Sequence, residues 1–211
     1  LKTGEHALAD TVKHPETYFS ELIPQRDELL QSLEAEAQKE GIPIVGPVVG
    51  QLLFVLARAT GAVNILELGT ATGYSAIYLG RACAPANGRV LSLENNAGMA
   101  QRARTHLDQA GLSEVVTVME ADGLQILPEL DGPFDFVFMD IEKRDYHKAL
   151  VKLTRLVRPG GLLIADNTAF VDAKKFNQAI YNDSGWQSVQ ILSYLPMHSA
   201  LHDGLCFAVR K

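Results

Sequence analysis

ILELGTATGYSAIYLG, residues 65–80, is the stretch whose reading decides the fold. A short apolar run carrying one acid, Glu67, ends at Gly69. A turn through Thr70, Ala71, Thr72 and Gly73 follows, and Tyr74 opens an amphipathic run. An apolar run of strand length that passes through a glycine turn into helical spacing predicts strand, turn, helix. Two readings of the turn stay open here. It can be a tight connection that merely needs glycine. Alternatively, its glycines let the backbone approach a ligand with no Cβ in the way. In the second case, N–H groups at the start of the next helix favour an anionic group. Thr70, Thr72 and Ser75 add hydroxyl donors.

The same unit recurs outward from this stretch. VNILEL precedes YSAIYLGRAC, RVLSLE precedes AGMAQRARTHLDQAG, and VVTVMEA precedes a short helical segment near Leu124. FDFVFMD precedes YHKALVKLTRLV, and GLLIADN precedes AKKFNQAIYN. Strands alternating with helices predict a parallel sheet covered on both faces. WQSVQILSYL and GLCFAVRK have no clear helix between them and are expected to form an antiparallel pair at one edge. Upstream, residues 1–60 read as helical. Leu29, Leu30, Leu33 and Ala37 fall at helical spacing and Gly41 is a stop signal. A Pro- and Gly-rich loop is expected next, with a buried helix from Gln51 to Ala59. The charged residues of EAEAQKE suggest a solvated face. No repeat or linker marks a boundary. The expectation is one domain over 1–211, with a helical segment at 1–60 and a core at 61–211.

Composition narrows the function. The chain has 211 residues, 47% hydrophobic and 21% charged, which suits a globular domain with a sizeable core. No apolar run approaches the roughly 20 residues of a membrane helix, and LKTGEHALAD lacks the apolar core of a secretory peptide. A net charge of −6 counts mildly against binding along nucleic-acid backbone. Cys83 and Cys206 form no CxxC and read as free thiols, so a cytoplasmic location is expected.

In a doubly wound sheet, ligands bind beyond the carboxyl ends of the strands, at the switch point. Glu67 just before the turn would repel a pyrophosphate but could accept from an ammonium. Glu94 ends the second strand, about 20 residues past the glycines, where an acid can bind ribose hydroxyls. The turn is not GxGxxG, because three residues separate Gly69 from Gly73 and position 71 is alanine. A ligand with a ribose and an amino-acid zwitterion fits better than a dinucleotide, and S-adenosylmethionine has both.

ELGTATGYSAIYL resembles the first motif of class I S-adenosylmethionine-dependent methyltransferases. Its GYS ending resembles the cation-dependent O-methyltransferases related to catechol and caffeoyl-CoA O-methyltransferases. The likeness runs from about Ile42 to Arg210 and includes GQLL at Gly50, DGLQILPEL near Asp122, FMDIEKRDY at Asp140, RPGGLLIADN ending at Asn167, and DGL at Asp203. It implies a Rossmann-like, mostly parallel sheet of about seven strands, with an N-terminal helical cap that covers the cofactor side or joins a homodimer. It also implies roles by position. Val45 flanks the methionine end, Gly69 and Ser75 hold the amino-acid part with Glu67 nearby, Glu94 binds the ribose diol, and Asp122 and Gly123 lie beside adenine. Asp140 is counted both with the cofactor contacts and with the metal ligands.

Asp140 ends one apolar strand, and Asp166 and Asn167 end the next. Adjacent parallel strand ends open on one crevice. Two carboxylates and an amide oxygen are hard ligands suited to Mg²⁺, Mn²⁺ or Ca²⁺. Acids at strand ends and helix caps are common without any metal, and it is the resemblance that favours the metal. The resemblance also makes Lys143 the base for a substrate hydroxyl. A free lysine is protonated near neutral pH, so base work needs a neighbouring positive charge. His147, His198 and His202 have no metal-ligand spacing and read as ordinary residues, although His198 and His202 lie in a loop near the expected site. Trp186 is expected to pack at a sheet edge.

The implied reaction is methyl transfer from S-adenosylmethionine to a hydroxyl of a small aromatic acceptor with vicinal hydroxyls. A methyltransferase of hydroxylated uridine in tRNA and a non-catalytic S-adenosylmethionine-binding protein are the alternatives. Two departures bear on the acceptor. The run after Asn167 is TAFVDA, where relatives carry Leu, Trp and Gly, and Cys206 stands where the animal catechol branch has glutamate.

Overall fold

The structure is a computed structural model and describes residues 11–198 and 200–211. The first ten residues lie outside it, and so does that part of the expected 1–60 helical segment. Three helices come first: α1 (Pro15–Ser20), α2 (Glu28–Glu40) and α3 (Gly46–Ala59). Then strands and helices alternate through β1 (Asn64–Leu68), α4 (Tyr74–Cys83), β2 (Arg89–Glu94), α5 (Ala97–Gln109), β3 (Val116–Glu120), α6 (Gly123–Ile126), β4 (Phe134–Met139), α7 (Tyr146–Leu156), β5 (Val157–Ala165) and α8 (Lys174–Asn182). The chain closes with β6 (Trp186–Tyr194) and β7 (His202–Arg210).

The seven strands form one sheet in the order β3-β2-β1-β4-β5-β7-β6. β1 to β5 are parallel. β7 runs antiparallel to both β5 and β6, so the last two strands make the expected edge hairpin. The fold is therefore the Rossmann-like, mostly parallel α/β sheet that the alternation predicts. Strand order reverses between β1 and β4, and the crevice at their carboxyl ends is the switch point.

The central parallel strands are mostly apolar because both faces are covered. Ile65, Phe136, Phe138 and Ile164 point into a core shared with α2, α3, α4 and α5. Leu66, Leu68, Val137, Met139 and Leu163 point into the opposite core with α7 and α8. Trp186 belongs to that second core at the sheet edge, as expected, and its indole N–H donates to Thr154 Oγ1 at 3.1 Å.

Two local expectations are corrected. α3 begins at Gly46, not Gln51, because Pro47 sits in the first helical turn, where a missing N–H costs nothing. Glu34 of EAEAQKE is not on the solvated face. It follows the Leu30, Leu33, Ala37 stripe inward and is 6% exposed. There it accepts from Arg26 and from the Tyr74 hydroxyl at 2.6 Å.

Candidate active site

A cleft of about 880 Å³ opens at the switch point. Its wall includes Val45, Gly69, Ser75, Glu94, Asp122, Gly123, Asp140, Lys143, Asp166 and Asn167. Of the residues to which the resemblance gives a cofactor, metal or base role, Glu67 alone is missing from that wall. It is wholly buried on β1, beneath the cleft, and its Oε2 accepts from Ser92 on β2. Burial pushes its carboxyl up to about 6, against the pull of the neighbouring Ser75, Ser92 and Thr70 hydroxyls. The acid expected near an ammonium thus lies beneath the wall and not in it.

The glycine turn also differs from expectation in part. Gly69 lines the cleft with φ at 86°, and a Cβ there would lie 2.2 Å from the carbonyl oxygen of Asp140. The close neighbour that requires glycine is the end of β4. Gly73 does not line the cleft. A Cβ on it would meet Ala103 of α5 at 3.2 Å, so its second reason is helix packing. Thr70 lines the cleft with its buried hydroxyl unpartnered. Thr72 is buried, and its carbonyl accepts from the His106 ring at 2.8 Å.

At this end of the cleft, Glu94 closes β2 and is nearly buried. Its Oε2 accepts from Ala71 N at 2.9 Å and its Oε1 from Asn96 N at 2.8 Å. Two lone-pair directions of the carboxylate remain for hydroxyl donors. Asp122 caps α6 by accepting from Gln125 N at 3.1 Å. Val45 stands at the start of α3 and brings the N-terminal segment to the wall.

At the other end, β4 and β5 deliver Asp140, Asp166 and Asn167 side by side. The Tyr146 hydroxyl ties the two strand ends together, donating to the carbonyls of Met139 and Asp166. Lys143 Nζ lies 2.7 Å from Asp140 Oδ1. Burial and the neighbouring charge of Asp166 raise the Asp140 carboxyl against the pull of Lys143. Asp166 is fully buried. Its Oδ1 accepts from Asn167 N at 2.8 Å, and its Oδ2 lies 2.9 Å from His198 Nε2. Burial alone would lower the His198 imidazole, but its hydrogen bond to Asp166 and that charge outweigh it and hold it above its ordinary value. Asn167 takes a left-handed backbone, φ 51°, and its Nδ2 donates to Asp203 Oδ2 at 2.7 Å. Among the described residues, no three His, Cys, Asp or Glu side chains converge on one point. The third oxygen of the expected set is an amide.

His198 therefore departs from its ordinary reading. It is buried in the cleft wall, and the nearby loop position was its only sequence signal. His147 and His202 do not line the cleft. His202 is exposed against Glu16. Both cysteines are free and buried, and burial pushes the Cys206 thiol up to about 12. Cys206 lies within β7 opposite Ala165, not on the cleft, whereas Phe170 does line it.

A mostly parallel sheet with its cleft at the switch point, an acid closing β2 and a hydroxyl-lined glycine turn fit the class I methyltransferase arrangement. The comparisons agree. Residues 21–182 match the family model described as O-methyltransferase. A catechol O-methyltransferase from Niastella koreensis is 39% identical over 166 residues, covering 76% of this chain and 73% of that protein. Another from Mycobacterium tuberculosis is 40% identical over 119 residues, covering 56% of this chain and 54% of that one. The crystal structure of the O-methyltransferase TomG from Streptomyces achromogenes, in complex with S-adenosylmethionine, superposes with a TM-score of 0.84 at 29% identity, over 93% of this chain and 96% of that one. An O-methyltransferase from Bacillus cereus in complex with S-adenosylhomocysteine superposes with a TM-score of 0.81 at 29% identity, over 93% and 97% of the two chains.

The chain belongs to the O-methyltransferase family and is an S-adenosylmethionine-dependent O-methyltransferase. No helix among the described residues is long and apolar enough to cross a membrane.

Proposed function

We propose that the enzyme methylates one hydroxyl of a small aromatic acceptor with vicinal hydroxyls, a catechol-type compound, at a centre of Asp140, Asp166 and Asn167 suited to a divalent cation. One observation carries this reading: two carboxylates and an amide, all hard oxygen donors, open on the cleft beside Lys143. The donor set fits Mg²⁺, Mn²⁺ or Ca²⁺. The Asn167 amide nitrogen is already engaged by Asp203, which leaves its oxygen for the cleft. A cation held by Asp140, Asp166 and Asn167 would supply positive charge that favours loss of a proton from a nearby hydroxyl and would loosen the hold of Asp140 on Lys143.

The chain's own residues divide the remaining work. Glu94 accepts from the ribose hydroxyls, Asp122 and Gly123 flank adenine, and Val45 flanks the methionine end. Gly69 and Ser75 hold the amino-acid group, with Glu67 nearby beneath the turn. Lys143 takes the hydroxyl proton as the oxygen attacks the methyl carbon and the carbon–sulfur bond breaks. Holding oxygen, carbon and sulfur in line is a large part of such catalysis.

In this reading residues 1–211 act as one methyltransferase domain, with the segment at 1–60 closing the cofactor side of the core at 61–211. A cytoplasmic homodimer is the form we expect, and the two buried free thiols are compatible with a reducing compartment. The test is methyl transfer from labelled S-adenosylmethionine to catechols and to hypomodified tRNA, with and without thorough chelation. Chelation-sensitive labelling of catechols supports the reading. Labelling of tRNA alone, or full activity after chelation, overturns it.

A further inference from the structure

Asp203 is buried with no exposure and has no basic side chain within ion-pair distance among the described residues. Such a carboxylate is costly unless its lone pairs are filled. They are: Oδ1 accepts from Gly204 N at 2.6 Å and Ala169 N at 3.2 Å, and Oδ2 accepts from Asn167 Nδ2 at 2.7 Å. Asp203 lies in β7, past the last pairing of that strand with β5 at Cys206. Beyond that pairing, Thr168 N donates to the Gly204 carbonyl at 2.9 Å, so β7 clamps the loop after β5. The clamp is close. A Cβ at position 204 would lie 2.6 Å from Thr168 Oγ1 and 2.8 Å from Ala169 N. Asp203 itself is not in the cleft wall, whereas Asn167 is.

We propose that Asp203 is a positioning residue that fixes the Asn167 amide with its oxygen toward the cleft, and that this is why an amide rather than a carboxylate stands at 167. The proposal rests on the divalent-cation reading above. A carboxylate oxygen only accepts, so the NH₂ end of Asn167 must face it and the oxygen must face away. An aspartate at 167 would add charge to the oxygen set but would set two acceptors against each other across 2.7 Å. The same geometry allows an exchange. An asparagine at 203 keeps an oxygen for Gly204 N and Ala169 N and offers an NH₂ to a carboxylate at 167.

The experiment measures Mn²⁺ affinity calorimetrically on the full chain with S-adenosylhomocysteine bound. S-adenosylhomocysteine affinity and thermal unfolding are measured in parallel. Asp203→Asn and Asn167→Asp should each weaken Mn²⁺ binding by about tenfold or more, while S-adenosylhomocysteine affinity stays within about twofold, because these residues lie at the far end of the cleft. The Asn167→Asp/Asp203→Asn double variant should recover binding to within about threefold of wild type. Single variants that unfold while the double variant folds and binds also support the pairing. Additive losses in the double variant, unchanged binding in Asp203→Asn, or tighter binding in Asn167→Asp alone overturn it. A wild type that binds no Mn²⁺ overturns the cation reading and the proposal together. A wild type that binds Mn²⁺ but methylates no catechol leaves the pairing standing and rejects the acceptor.

Discussion

At the glycine-turn end of the cleft, Glu94 is held by the backbone N–H of Ala71 and of its near neighbour Asn96. At the other end, Asp166 and Asn167 are held by the side chains of His198 and Asp203, 32 and 36 residues further along the chain. The first end is a product of consecutive strand–turn–helix units. The second exists only after the β6–β7 hairpin has folded back beside β5. The first leaves one acid with spare acceptor capacity. The second brings two carboxylates together and needs positive charge, which Lys143 partly provides. On the proposed reading, the cofactor end is built from local backbone, whereas the reacting end needs long-range assembly because its charges must be compensated from several elements.

The contrast predicts that the two ends separate experimentally. The largest effect should come from Asp140→Asn or Asp166→Asn. Each should cut kcat/KM for a catechol by about 100-fold or more, since a lost cation site is worth several kcal/mol. S-adenosylmethionine affinity should stay within about twofold in Asp166→Asn, because that carboxylate is engaged by Asn167 N and His198 and carries no cofactor role. Steady-state kinetics with parallel calorimetry reads both numbers, and equal losses in both would merge the two ends into one.

Glu94→Ala should do the converse. Losing a charged acceptor for the ribose hydroxyls should weaken S-adenosylmethionine binding by about 1.5–3 kcal/mol. Cation affinity should be unchanged. Calorimetry on the folded variant checks this, and an unaltered Kd would remove Glu94 from the cofactor site.

Beneath the cleft, Glu67 gives a pH-dependent test. Its folded value of about 6 lies above the ordinary 4.5, so the native state holds the proton more tightly than the unfolded chain. Stability therefore falls as pH rises from 4.5 through 6, and the deficit persists above that window. Glu67→Gln keeps an acceptor for Ser92 and removes the ionisation. Relative to wild type it should gain about 2 kcal/mol between pH 4 and pH 7. Urea unfolding across that range measures the difference, and parallel curves would show that Glu67 is not strained by its burial. At the bottom of the scale, His202→Ala removes an exposed pair with Glu16 and a ring contact with Tyr194 at the sheet edge, and should change stability by less than about 1 kcal/mol.

Much of this architecture was legible from period and punctuation. Apolar runs alternating with amphipathic ones located β1 to β5 and the helices between them, because strands buried on both faces are mostly apolar. The absence of a helix between WQSVQILSYL and GLCFAVRK located the edge hairpin. Glu94, Asp140 and Asp166 were readable because they end strands that point to one crevice. What escaped depends on facing neighbours. Glu34 looked solvated by composition, although it continues the stripe of Leu30, Leu33 and Ala37. Gly73 looked like a ligand contact, but Ala103 of another helix is what it meets. His198 has no spacing that announces Asp166, and Asp203 appeared only as part of a motif, without its partner. Nothing local says that Pro47 begins a helix rather than a loop, since proline suits both.

The most direct test of the central claim is kcat/KM for a catechol and for its matched monohydroxy analogue, measured in the cation-loaded wild type, after chelation, and in Lys143→Met. Two adjacent oxygens can be held in register, while a single phenol is free to rotate away from the methyl group. The account predicts that the catechol is methylated faster in the loaded wild type and that this advantage disappears under both other conditions. Equal values for the two acceptors in the loaded wild type would contradict it.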